Sequence, residues 1–340
     1  MKVLKWIGMV LGAILFLWWI GPKPPEPNLK TSLPTLPDSL RQYVQRKESR
    51  QPNLKPDNQA RIVWYDSTRK TPWSVVYLHG FSASQAEGAP IHREFARRYG
   101  CNLYLARLFG HGLNEKEPLV DVTPENLVAS AAEALAIGKR LGEKVLIMST
   151  STGGTLALIL AADHPKDVNG IIAYSPNIDL HDEASWLLTR PWGLPLSRLV
   201  LGSNYYQFYG SDSVQYYWTT RYRSEALVSL KNLLEHTMTP ETFQRVKAPF
   251  FLGYYYKDDE HQDDVVSVPA MLKMFDQLGT PANLKRKAAF PEAGHHVIGS
   301  RYTSADVEDV RQATYQFAEE VLKMQPINLP EESTALSETP

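Results

Sequence analysis

From Arg61 onward, apolar runs of strand length alternate with amphipathic stretches of helix length. The runs fall at 62–65, 74–78, 103–108, 145–148, 170–174, 249–254 and 284–290. Stretches with apolar residues at three- and four-residue spacing fill most gaps, near 87–99, 123–142, 152–164, 266–278 and 303–324. A strand that is apolar along its whole length is covered on both faces, so the alternation predicts an α/β fold with a mostly parallel central sheet and helices on both faces. In such sheets a ligand sits beyond the carboxyl ends of the strands. The alternation fails once, between Pro176 and about Arg245. There Trp186, Trp192, Tyr205, Tyr206, Phe208, Tyr209, Tyr216, Tyr217, Trp218 and Tyr222 crowd together with no sheet strand evident, which predicts an inserted aromatic-rich cap over about 181–225. Most of these rings form the insertion's own core, and two or three are left to face a pocket.

The segments outside this body have a different character. Trp6 to Ile20 carries no charge, follows Lys2 and Lys5, and ends in Trp18-Trp19 before the stiff Gly21-Pro22-Lys23-Pro24-Pro25-Glu26-Pro27. A spanning helix needs roughly 20 apolar residues, and Val3 to Ile20 approaches that length. Residues 1–21 are therefore expected to be an uncleaved membrane anchor, with a cleaved signal segment as the alternative. The anchor would leave the catalytic body outside the cytoplasm, on the periplasmic side; cleavage would make the protein secreted. Residues 22–60 read as a proline-containing linker with one short helix around Leu40, Tyr43 and Val44. The main domain is expected over 61–324, and 325–340 as a disordered polar tail.

Composition narrows the chemistry. The chain has 340 residues, 43% hydrophobic and 11% aromatic, enough for one large domain with an insertion. Formal net charge is −1 and no Lys/Arg run exceeds three residues, which gives no footprint for nucleic acid. Cys101 is the only cysteine; it excludes an intrachain disulfide, offers no metal cluster, and reads as a small core residue.

The stretch from Val145 to Leu158 passes from an apolar strand through Ser149-Thr150-Ser151-Thr152-Gly153 into a helix. A strained strand-turn-helix bend of this kind lifts one hydroxyl above the sheet and requires small residues two before and two after it. Ser151 is thus the candidate nucleophile, flanked by Ser149 and Gly153. The Thr152 amide opens the helix, where amides and helix dipole favour an oxyanion. His79-Gly80 ends an earlier apolar strand, and the Phe81 amide after that turn is the candidate second donor. His79 itself reads as a structural histidine, and Arg107 to Gly112 as loop architecture near the site. A carboxylate and a histidine must then follow later in the chain. Two loops qualify, Lys257 to Val268 after one strand and Pro291 to Ser300 after the next, the second with adjacent His295 and His296. Asp179 and Asp182 form another acid site. The carboxylates of Asp258 to Asp264 read as a solvated loop rather than a cation site.

The His79-Gly80 turn, the Gly110-His111-Gly112 loop, the Ser149-x-Ser151-x-Gly153 elbow, Asp263-x-Val265-Val266 and Gly294-x-His296-Val297-Ile298 together resemble an α/β-hydrolase of the serine carboxylesterase and monoacylglycerol lipase type. The resemblance covers roughly 61–322. Ser149 departs from it, standing where a glycine is usual. Such esterases commonly read Asp-x-Val-Val at the acid, which implies Asp263, and place the histidine before a Val-Ile pair, which implies His296. Relatives with the histidine directly after the glycine leave His295 as the alternative. The implied activity is hydrolysis of carboxylic esters through an acyl-enzyme with a Ser151-Asp263-His296 triad, without metal or organic cofactor. The aromatic insertion suits a small-molecule ester with an apolar acyl or aryl group. A peptidase or thioesterase on the same fold, and a catalytically silent membrane-anchored binding protein, are the rival expectations.

Overall fold

The computed structural model describes residues 2–327. Among these residues nine strands form in chain order: β1 (Arg61–Val63), β2 (Thr71–Leu78), β3 (Asn102–Leu105), β4 (Gly142–Thr150), β5 (Gly170–Tyr174), β6 (Tyr205–Gln207), β7 (Arg221–Arg223), β8 (Phe250–Tyr254) and β9 (Lys285–Ala289). Seven of them make one sheet in the order β1-β3-β2-β4-β5-β8-β9. Only β1 is antiparallel to its neighbour; the other pairings are parallel. Strands β2, β4, β5 and β8 are buried along most of their length, as their unbroken apolar runs require. The edge strand β9 instead carries Lys285, Arg286 and Lys287, charges that discourage pairing with another chain.

Helices cover both faces. On one face α4 (Pro124–Leu141), α5 (Thr152–Asp163), α8 (Ser224–Thr237), α9 (Pro240–Arg245) and α10 (Val268–Gln277) pack Leu135, Leu158, Leu233, Phe243 and Met271 onto Val76, Leu78, Ile147 and Leu252. On the other, α3 (Ile91–Arg98) and α11 (Val307–Glu320) pack Ile91, Phe95, Val310 and Phe317 onto Val75, Tyr77, Met148 and Phe251. Cys101 lies in this second cluster, and burial pushes its thiol up to about 12. The seven sheet strands and five of these helices, α3, α4, α5, α10 and α11, were expected near these positions. Helices α8 and α9 and strands β6 and β7 were not expected; each of the two strands is three residues long, and they pair across 208–220. Residues 181–223 hold that ribbon, a 3₁₀ turn at Glu183–Thr189, α6 (Gly193–Leu201) and α7 (Asp212–Tyr217).

The stretch 22–60 is held against the domain rather than crossing open space. In α2 (Leu40–Ser49), Leu40 and Val44 join the first core cluster. Glu48 is buried against Arg107, with Nε to Oε2 at 2.7 Å and NH2 to Oε1 at 3.1 Å, and also accepts the Ala60 amide at 3.0 Å.

The N-terminal reading is corrected in one respect. Residues 2–19 form a helix, α1 (Lys2–Trp19), yet among the described residues no helix is long and apolar enough to cross a membrane. Its 18 residues rise about 27 Å at ~1.5 Å each, and the lysines at positions 2 and 5 shorten the apolar part further, against a hydrocarbon core of about 30 Å. The end of α1 meets the insertion: Trp192 donates its indole N–H to the Leu17 carbonyl at 2.8 Å and its amide to the Pro22 carbonyl at 2.9 Å. The part of the expected tail from 328 to 340 lies outside the described residues.

Candidate active site

Strand register brings the relevant loops to the carboxyl end of the sheet. Leu78 is level with Ser149, and Thr150 with Tyr174, so the turn after β2, the bend after β4 and the end of β5 emerge side by side. Ser151 occupies the bend with φ 53° and ψ −120°, a left-handed backbone that a serine adopts only under constraint, and α5 begins at the next residue. Its amide donates to the Tyr174 carbonyl at 3.0 Å, and its carbonyl accepts the amides of Gly154 at 2.8 Å and Asn177 at 2.9 Å. Gly153 is obligatory for packing, since a Cβ there would overlap the backbone carbonyl of Leu78. Ser149 is tolerated because its register partner on β5 is the small Ala173, and its hydroxyl lies 3.4 Å from the Ile172 carbonyl.

His296 and Asp263 meet. Imidazole Nδ1 lies 2.7 Å from Asp263 Oδ2, while Oδ1 accepts the amides of Val265 and Val266 at 3.0 Å each. The carboxylate is completely buried. Burial pushes it up, but the His296 charge and hydrogen bond and the Val266 and Val265 amides outweigh that and hold it below the usual carboxylate range. The other imidazole nitrogen, Nε2, is buried with no hydrogen-bond partner among the described residues. Ile298 anchors this loop in the second core cluster, and Val297 packs with Ala83, Val214 and Trp218. Tyr174 ties the loop to the bend: its carbonyl holds the Ser151 amide, and a Cβ on Gly299 would lie 3.1 Å from its ring.

The remaining candidates separate clearly. His295 is exposed and its Nδ1 accepts the Val297 amide at 3.0 Å. Asp264 is exposed; Asp258 binds His261 at 2.8 Å; Asp179 binds Lys231 at 2.6 Å; Asp182 caps the Glu183–Thr189 turn. His79 is a structural group: its Nδ1 faces the Gly80 carbonyl at 2.9 Å and its Nε2 accepts the Leu108 amide at 3.0 Å. Burial, aided by neighbouring His111, holds it neutral and well below its ordinary value. Among the described residues no group of three or more His, Cys, Asp and Glu could hold a metal ion.

The Phe81 turn is clamped by aromatic rings. Phe81 is edge-on to His111 at 5.4 Å and to Tyr222 at 5.6 Å, and the Ser82 carbonyl accepts the Thr219 amide at 2.7 Å. Two members of the aromatic insertion, Trp218 and Tyr222, thus pack on the loops around Ser151. A cavity of ≈ 750 Å³ lies beside α2 and β1, lined by residues that include Val44, Glu48, Asp57, Arg61 and Trp64. It contains none of the candidate residues. What the sequence reading missed is Glu87, a fully buried acid beside Gly80. Its one signal was a lone charge in the otherwise uncharged run 83–91.

Residues 75–310 match the alpha/beta hydrolase family. A thermostable monoacylglycerol lipase from Bacillus sp. (strain H-257) is 32% identical over 109 residues, which is 32% of this chain and 42% of that relative. Among solved structures, one from the metagenome-derived lipolytic enzymes LipS and LipT superposes with a TM-score of 0.63 at 17% identity, covering 78% of this chain and 98% of the other. The monoacylglycerol lipase of Paleococcus ferrophilus superposes with a TM-score of 0.55 at 18% identity, covering 76% and 96%. A mostly parallel sheet flanked by helices, a strained serine at a strand-helix bend and a family match spanning most of the chain lead to one assignment: the chain belongs to the alpha/beta hydrolase family.

Proposed function

We infer that the protein is a serine hydrolase of carboxylic esters, working through an acyl-enzyme. The carrying observation is the His296 imidazole, fixed at Nδ1 by a buried Asp263 and leaving Nε2 buried without a hydrogen-bond partner among the described residues, on a loop that Tyr174 ties to the strained Ser151 bend. Pairing with a carboxylate sets the tautomer in which Nδ1 bears the proton and Nε2 is a base. In the reading proposed, Ser151 Oγ attacks the ester carbonyl as Nε2 takes its proton, and the amides of Phe81 and Thr152 stabilise the oxyanion. Collapse breaks the bond to the alkoxy group, which leaves as the alcohol with the proton from Nε2. Water repeats the sequence on the acyl-enzyme and releases the acid. Each oxyanion amide is worth about 3–4 kcal/mol to such a transition state.

The similar proteins, a monoacylglycerol lipase and lipolytic enzymes, support esters over peptides. Phe81 and Tyr222 beside the bend favour an apolar acyl or aryl group. Steady-state hydrolysis of p-nitrophenyl butyrate by the wild type and by Ser151→Ala tests the reading. A loss of about three orders of magnitude or more in kcat is expected in the variant. Equal turnover by the two proteins would overturn the proposal.

A further inference from the structure

Between the oxyanion turn and the nucleophile bend lies a buried polar chain that the triad does not use. The Gly80 amide donates to Glu87 Oε1. The same oxygen receives the Tyr77 hydroxyl at 3.2 Å, and that hydroxyl lies 3.0 Å from Thr150 Oγ1, the residue before Ser151. A methyl group added at Gly80 would sit 3.1 Å from Ser151 Cβ and 3.2 Å from Glu87 Oε2. Carboxyl and nucleophile therefore face each other across one glycine.

We propose that Glu87 is the positioning residue of the oxyanion turn: in its neutral form it holds the Gly80 amide, so that the next amide, Phe81, points at the reacting carbonyl, and it must stay uncharged for turnover. This rests on the esterase reading above. Holding one peptide unit restricts the directions open to the next, because only two dihedrals separate them. Charge is the second half of the reasoning. A carboxylate here would lie within a few ångströms of the developing alkoxide in a water-excluded site, where like charges repel strongly.

The surroundings keep the group neutral at physiological pH. Burial raises its carboxyl to about 8, the Gly80 amide and Tyr77 hydroxyl offsetting only part of the effect. Its hydrogen-bonding neighbours are the Gly80 amide and the Tyr77 hydroxyl, neither of them a cation. From β2, Tyr77 faces it with its hydroxyl pushed well up by burial. From α3, His92 packs against the Tyr77 ring at 4.8 Å, lowered by burial to about 3. At the turn His79 is held neutral, and from β5 Tyr174 is raised by burial. Glu87 is thus the group in this chain of contacts that changes charge near pH 8.

The sign follows directly. As pH rises through about 8, Glu87 ionises, the oxyanion is destabilised, and kcat falls with KM little changed. An ordinary triad offers no reason for an alkaline limb at that pH that a single carboxyl-to-amide change removes. The test measures kcat and KM for p-nitrophenyl butyrate against pH, in the wild type, Glu87→Gln and Glu87→Ala, with fluorophosphonate labelling of each. In the wild type kcat should fall at least about tenfold across the limb. Glu87→Gln keeps an acceptor for the Gly80 amide and cannot ionise. It should show no such fall, and at pH 7 should turn over at least about tenfold faster than Glu87→Ala. An unaltered alkaline limb in Glu87→Gln, or wild-type turnover by Glu87→Ala, overturns the assignment while leaving the esterase reading intact. A wild type that neither labels nor hydrolyses overturns both. If Glu87→Ala does not fold, the pH profile of Glu87→Gln decides alone.

Discussion

Replacing Asp263 by asparagine isolates the contribution of one charge. Oδ1 receives two backbone amides, from Val265 and Val266 at 3.0 Å each, and Oδ2 faces His296 Nδ1 at 2.7 Å. An asparagine preserves the loop only by keeping its carbonyl oxygen on the two amides. Its NH2 is then forced against Nδ1, where donor would meet donor. The imidazole escapes by moving its proton to Nε2, and in that tautomer it cannot accept the Ser151 proton. The reverse orientation aims the NH2 at two backbone N–H groups and breaks the loop, so it does not rescue the tautomer. A wrong tautomer in a geometrically intact triad costs about 10⁴ in kcat, or ~5.5 kcal/mol. The assay is kcat on p-nitrophenyl butyrate at pH 7.5, with circular dichroism and Tm establishing that the variant is folded. A folded Asp263→Asn protein retaining more than about a tenth of wild-type kcat, a cost under ~1.4 kcal/mol, would refute the role given to this carboxylate.

Three further outcomes are expected. His296→Ala should abolish ester hydrolysis, whereas His295→Ala, whose exposed ring only accepts the Val297 amide, should keep at least about a tenth of kcat; the opposite order would move the base by one residue. Glu48→Ala strands the buried Arg107 guanidinium and should lower the urea-unfolding free energy by about 3–5 kcal/mol; a loss below ~1 kcal/mol would mean that α2 is not part of the folded body. Gly153→Ala drives a methyl group into the Leu78 carbonyl, so its Tm should fall sharply and labelling of Ser151 be lost, while Ser149→Ala should change neither; a Gly153→Ala protein as stable and reactive as wild type would contradict the geometry of the bend.

The fold was legible because burial on both faces writes itself into the chain as uninterrupted apolar runs. Runs at 74–78, 145–148, 170–174 and 249–254 became four of the five inner strands. Strands β6 and β7 left no such trace, since a three-residue ribbon half open to solvent imposes little on composition. The bend at Ser151 was visible for a steric reason: only glycine fits where Gly153 meets the Leu78 carbonyl. The choice between His295 and His296 was not fixed by composition or period. It depends on which ring turns inward, and the structure pairs His296 with Asp263 because Ile298 buries the loop immediately beyond it. The α2 contact escaped notice because Glu48 and Arg107 lie 59 positions apart and each resembles an ordinary surface charge. The apolar character of Trp6 to Ile20 was read correctly as a helix, but α1 spans only 18 residues with lysines at its start, too short an apolar length to cross a membrane.

The most direct test of a reactive serine at the bend is the intact mass of the purified protein after exposure to a fluorophosphonate, followed by peptide mapping. A single stoichiometric phosphonyl adduct on Ser151 is expected, absent from Ser151→Ala and strongly slowed in His296→Ala. An unmodified protein, or an adduct on any other residue, would contradict it.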